Sequence, residues 1–198
     1  MGYLKGSIAQ EEELCRTIID LYLSLEKLLN EPEHNRKKYI DFIPHMHIFY
    51  SFNLSLYRYD GTQSGNRYDF IHKNKKVAPI KISVITAAAP DLRTKSQKEK
   101  TELINKLKDN NSDIYSHLFN IIKGIYLVPA TIQKNINILI LGAFGCGAFS
   151  PSKDIQQQIN KDYDYTKKIA SYFAQYLIDN SDILYLYDYI CFAIPGYN

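Results

Sequence analysis

A chain of 198 residues with 45% hydrophobic and 23% charged residues can bury a sizeable core, is too apolar to stay disordered, and is expected to form a single domain over residues 1–198. Its net charge of +3 is too small to argue for nucleic acid: the lysines of "HNRKKY", "HKNKK" and "TKSQKEK" read as solvated loops and helix faces, so no direct nucleic-acid binding is expected. No apolar run reaches the length of a membrane helix, no basic leader with a cleavage site opens the chain, and Gly6 stands where a myristoylation signal has Ser or Thr, so neither membrane attachment nor export is expected.

Residues 8–29 place Leu14, Ile18, Leu21, Leu25 and Leu28 at spacings of three and four, which predicts an amphipathic helix. Gln10, Glu11, Glu12 and Glu13 fill its first turn, where carboxylates meet the positive end of the helix dipole. Pro32 in "NEPEHN" ends it. The aromatic, partly alternating run "HIFYSFNLSLY" (47–57) predicts a strand that turns at Asp60 and Gly61, and "GTQSGNRYD" is loop. A second strand is expected over 80–87, "IKISVITA", closed by Ala88, Ala89 and Pro90. Helices are expected over about 95–109 and 112–132, a third strand over 136–141, a helix within 162–179, and a last strand over 183–194, "ILYLYDYICFAI". Strands alternating with helices indicate an α/β layer structure with helices on both faces, and the apolar "NILIL" suits a strand in the middle of such a sheet. Ligands of such folds bind where strands end and helices begin.

The three cysteines lie far apart with no ligand-type spacing and the five histidines are scattered. They predict free thiols in a reducing, cytoplasmic setting and no metal site. Tyrosine is abundant, 17 residues against 9 phenylalanines, and predicts half-buried rings with wet hydroxyls.

Two stretches carry chemistry. In "ILILGAFGCGAF" (138–149), Gly142, Gly145 and Gly147 follow directly on a strand. Bare backbone of this kind approaches a large ligand closely, and free amides in it can face anionic oxygens. The spacing matches neither a dinucleotide fingerprint nor a P-loop. Taken alone, a glycine turn between strand and helix is as often purely structural. In "GYLKGSIAQEEELCR" (2–16), two glycines precede a helix whose first turn holds an amide and three carboxylates, a pattern that helix capping alone would also explain.

Together they resemble the microbial-type poly(ADP-ribose) glycohydrolases, a branch of the macrodomain fold. "GYLKGSIAQEEELCR" is similar to that family's "GGG…QEE" signature and "LGAFGCGAF" to its diphosphate loop. "SVITAAAPDLR" is similar to its middle strand and following turn, and "YICFAI" to its last strand. The order is the family's, over nearly the whole chain. The resemblance implies a three-layer αβα domain, a mixed sheet with helices on both faces, that holds ADP-ribose at the strand ends. It implies a glycosidase that cleaves ribose-ribose bonds of poly(ADP-ribose) or removes ADP-ribose from modified proteins.

Residue by residue, Gly142, Ala143, Phe144, Gly145, Cys146, Gly147, Ala148 and Phe149 would wrap the diphosphate, one phenylalanine bordering the ribose or adenine. Gly2, Gly6 and Gln10 would contact substrate on the other side of the terminal ribose. Glu12 would be the catalytic acid and Glu11 would hold ribose hydroxyls. An oxocarbenium-like reaction needs a positioned carboxylic acid to protonate the leaving oxygen, which suits Glu12, and it requires no metal or cofactor. Cys146, with no histidine paired to it in the sequence, reads as a small loop residue rather than a nucleophile.

Relative to the family, the asparagine-bearing strand before the glycine triplet is missing, so the expectation is an N-terminally shortened domain. Some ten extra residues follow the glycine loop in "SPSKDIQQQINKDYDYTKKIASYF". The alternatives are a binding module that holds ADP-ribose without cleaving it, and a degenerate fragment without a working site.

Overall fold

The computed structural model describes residues 14, 15, 17–30, 48–56, 80–133, 135–147 and 149–193. In chain order the elements are α1 (Ile19–Asn30), β1 (Ile48–Leu56), β2 (Ile80–Ala87), α2 (Gln97–Lys108), α3 (Asp113–Ile132), β3 (Ile138–Leu141), α4 (Lys153–Ile159), α5 (Tyr165–Asp179), a 3-10 turn (Ser181–Tyr185) and β4 (Tyr189–Phe192). They fall into two compact units: α1, β1 and β2 up to Thr86 belong to one, and everything described from Ala87 onward to the other.

In the first unit the predicted apolar stripe does what its spacing requires. Cys15, Ile18 and Leu21 are buried against Leu54, with Leu14, Leu25, Ile82 and Val84 packed around them. Cys15 acts here as a small hydrophobe. Two polar links fix the helix on the strand: Ser24 Oγ lies 3.1 Å from Ser51 Oγ, and Asp20 Oδ2 accepts from the Ser55 amide at 3.2 Å. β1 and β2 are hydrogen-bonded neighbours. Inside β1, Asn53 has φ of 57°, a left-handed conformation that asparagine tolerates better than most residues. It breaks the alternation of the strand, so that Tyr50 and Ser51 are both buried, then Phe52 and Asn53 both exposed. The "IKISVITA" of β2 alternates in sequence but not in burial, for Ile82 to Ala87 are all half-buried.

In the second unit α3 is the central post. Leu118, Ile121, Ile122 and Tyr126 have no exposed surface. The helix runs through Pro129, one turn from its end: the ring removes the donor for the Ile125 carbonyl, while the Pro129 carbonyl still receives the Gln133 amide at 2.9 Å. α5 packs on α3 through rings: Tyr126 stacks on Tyr176 with centroids 5.7 Å apart, and Phe119 meets Tyr176 edge-on at 5.5 Å. An ion pair between Lys100 and Asp154 ties α2 to α4. β3 and β4 pair in parallel, Ile138 opposite Tyr189 and Leu141 opposite Phe192.

Several expectations need correction. The last strand starts at Tyr189, not residue 183, because Ser181–Tyr185 forms a 3-10 turn in which the Ile183 amide bonds back to Asn180 and the Leu186 amide to Ile183. The residues after the glycine loop contain a helix, α4, that periodicity did not announce. β3 buries Leu139 and Leu141 but leaves Ile138 and Ile140 53% and 69% exposed, so its apolar run is not covered evenly. Several of the described tyrosines are buried more deeply than expected: Tyr50, Tyr126 and Tyr165 are at most 1% exposed, and the hydroxyls of Tyr115 and Tyr187 donate to the Leu107 and Tyr126 carbonyls. All three cysteines are free. No helix among the described residues is long and apolar enough to cross a membrane.

Candidate functional site

The glycine loop hangs from the end of β3. The Ala193 amide donates to the Leu141 carbonyl at 2.7 Å, so β4 fixes the last residue before the loop. Two tight turns follow: the Phe144 amide bonds to the Gly142 carbonyl at 2.9 Å, and the Cys146 amide to the Ala143 carbonyl at 3.2 Å. The third residue of the second turn is Gly145, with φ of 73°. That is the position where a type II turn demands a left-handed residue, and glycine adopts it without strain.

The far end of the loop is pinned to the segment after β2. The Leu92 amide donates to the Phe149 carbonyl at 2.9 Å, and Leu92 itself is buried. The Arg93 guanidinium lies 4.6 Å from the centre of the Phe149 ring, a cation–π stack. Asp91 grips that guanidinium from the side with two hydrogen bonds, 2.8 Å to Nε and 2.7 Å to one terminal nitrogen. The Arg93 partner holds the Asp91 carboxyl well below the usual range, at about 2. Then the Ser150 amide and hydroxyl both donate to the Gly147 carbonyl, and Ser152 caps α4 through the Ile155 amide.

These turns leave backbone donors unused. Among the described residues the amides of Ala143, Gly145 and Gly147 donate to no protein acceptor, and all three belong to half-buried or exposed residues. Free amides gathered in a turn can bind anionic oxygens. Phe149, 45% exposed, adds an aromatic surface at the loop's end. What the loop lacks is a group able to transfer a proton or attack a substrate. Burial pushes the Cys146 thiol up from its ordinary value, only partly offset by a hydrogen bond with Thr166, and its sulfur donates to the Phe144 carbonyl at 3.4 Å. A protonated thiol engaged this way is a poor nucleophile, in keeping with its reading as a loop residue. No cluster of metal-ligating side chains occurs among the described residues.

Of the residues singled out in the sequence, Gly142, Ala143, Phe144, Gly145, Cys146, Gly147 and Phe149 thus share one loop. Gly2, Gly6, Gln10, Glu11, Glu12 and Ala148 lie outside the described residues. Sequence reasoning missed Arg93 as the partner of Phe149 and Asp91 as the partner of Arg93, although the "PDLR" that carries them was part of the resembling motif. It also missed Tyr165, whose ring reaches under Gly145. A separate groove of about 680 Å³, lined by Phe119, Tyr176, Ile183 and Leu186 among others, shares no residue with the loop.

No protein-family profile matches the sequence, and no curated protein matches it. Among solved structures the chain is similar to poly(ADP-ribose) glycohydrolase from Deinococcus radiodurans in complex with ADP-ribose, with a TM-score of 0.52 and 21% identity. A structure of a point mutant of that enzyme, also with ADP-ribose, gives the same values. The similarity covers 97% of this chain and spans 63% of the length of that one. At this identity the likeness shows the fold: a mixed α/β, macrodomain-like αβα architecture.

Proposed function

We propose that the chain is an ADP-ribose glycohydrolase, one catalytic domain over residues 1–198 that hydrolyses the O-glycosidic bond of poly(ADP-ribose) or of ADP-ribosylated protein. The observation that carries the reading is the glycine loop, with three free amides beside an arginine-backed phenylalanine, in a fold like that of an enzyme solved with ADP-ribose. A diphosphate is the part of ADP-ribose that needs such donors.

In this reading the amides of the loop hold the diphosphate, and Phe149 or Phe144 borders a ring of the ligand. Gln10, Gly2 and Gly6 contact the substrate, and Glu11 holds ribose hydroxyls. Glu12 protonates the oxygen that leaves the anomeric carbon, then as carboxylate accepts a proton from the incoming water, so the bond is replaced by a hydroxyl on each side. Replacing Glu12 by Gln is expected to abolish release of ADP-ribose while leaving ADP-ribose binding nearly intact. An unchanged rate removes Glu12 from the mechanism.

A second reading, a module that binds ADP-ribose without cleaving it, is favoured by one observation: the described loop has donors for an anion and no acid or base of its own. Calorimetric binding of ADP-ribose with no turnover of polymer or mono-ADP-ribosylated protein would select it. A ligand that binds only the native state raises the melting temperature. Absence of such a rise with ADP-ribose would remove both readings.

A further inference from the structure

Tyr165 is the first residue of α5 and is 1% exposed. Its hydroxyl has no hydrogen-bond partner among the described residues. Two other buried phenols of this unit are paired: Tyr115 donates to the Leu107 carbonyl at 2.9 Å and Tyr187 to the Tyr126 carbonyl at 2.6 Å. The Tyr165 hydroxyl, like the buried Ser112 hydroxyl, is left without an acceptor among the described residues, and a buried polar group in that condition weakens the fold.

The ring is nevertheless held in place with care. Gln156 Oε1 accepts from the Tyr165 amide at 3.0 Å, while Gln156 Nε2 donates to the Pro151 carbonyl at 2.9 Å. One glutamine side chain thereby ties the exit of the glycine loop to the start of α5. Asp164 caps the same turn through the Lys167 amide at 3.1 Å.

The hydroxyl points at the glycine loop. A Cβ built on Gly145 would lie 3.9 Å from the Tyr165 oxygen and 3.6 Å from Ala89 Cβ, so the phenol lies beside the turn that carries the free amides. Burial pushes the phenol's pKa upward, which keeps its proton in place as a donor.

We propose that Tyr165 is a ligand-binding residue of the glycine loop, its hydroxyl donating a hydrogen bond to a phosphate oxygen of a diphosphate held by the loop. The inference rests on the ADP-ribose reading above and deepens it. It explains why the phenol is unpaired in the free protein: the acceptor arrives with the ligand.

The test compares the full chain with Tyr165→Phe, which removes the oxygen and keeps the ring. ADP-ribose affinity is measured by calorimetry, and melting temperature with and without ADP-ribose. The expected result is an affinity about tenfold weaker, the order of a hydrogen bond to a charged acceptor, with a melting temperature of the free variant equal to or above that of the parent. Equal affinities in the two proteins overturn the proposal. So does a free variant that melts lower, since the hydroxyl then serves the fold rather than the ligand. A parent chain that neither binds ADP-ribose nor gains stability from it sinks the ADP-ribose reading itself, an outcome distinct from a parent that binds and a variant that binds equally well.

Discussion

The α3 helix and the loop after β3 belong to the same compact unit and use their residues in opposite ways. In α3 the side chains carry the structure: Leu118, Ile121 and Ile122 are wholly enclosed, and backbone groups are spent on the helix itself. In the loop the side chains are nearly absent and the backbone is what remains on offer, with Ala143, Gly145 and Gly147 amides unclaimed. The contrast teaches where to look for chemistry in an unfamiliar chain. Stability concentrates where polar groups are all consumed, and recognition where some are withheld.

Substitutions sharpen that comparison, beginning with the largest expected effect. Ile121→Ala should lower unfolding free energy by about 2–5 kcal/mol in urea titrations, the usual cost of emptying a core aliphatic site, while the folded fraction keeps its ADP-ribose affinity. A loss of affinity with little loss of stability would break the division of labour. Gly145→Ala is next. There is room for the methyl group, whose nearest neighbours would be 3.6 and 3.9 Å away, so the penalty is conformational, about 1–2 kcal/mol for a non-glycine residue held at left-handed angles. ADP-ribose binding should fall with it.

Smaller effects test the loop's edge. Arg93→Ala removes one face of support from Phe149 and should weaken ADP-ribose binding a few-fold, read by calorimetry. Asp91, whose folded pKa of about 2 lies below its ordinary 3.8, contributes stability that is present above the ordinary value and lost as pH falls from there toward 2. The difference in melting temperature between the parent and Asp91→Asn should therefore shrink across that window, and it should be small throughout because both partners are exposed. Cys146→Ala should change glycohydrolase activity least. Its abolition would make the thiol a participant after all.

Much of the fold was legible because burial writes a period into the sequence. The stripe of α1 and the long apolar pattern of α3 were visible from spacing, as were β1, β2 and β3 to within about two residues. α4 was hidden because "KDIQQQI" offers a single buried residue, Ile155, and such a short segment forms by capping from Ser152 rather than by amphipathic pattern. The 3-10 turn was mistaken for strand because alternation in "ILYLYDY" suits either, and Tyr187 is decided by its reach to Tyr126, a contact across distant sequence. For the site, glycine spacing located the loop, but neither the Arg93 stack nor the unpaired phenol of Tyr165 leaves a trace in spacing. Both depend on which segments meet.

The parallel pairing of β3 with β4 sets a timetable for the loop. Parallel neighbours need a long crossover, and here residues 142–188, with α4, α5 and the 3-10 turn, stand between Leu141 and the strand whose Ala193 amide secures its carbonyl. Closing so large a circuit is slow compared with making a helix. In refolding, far-ultraviolet helical signal should return before competence for ADP-ribose does, the interval measuring how long the loop waits for β4 to arrive.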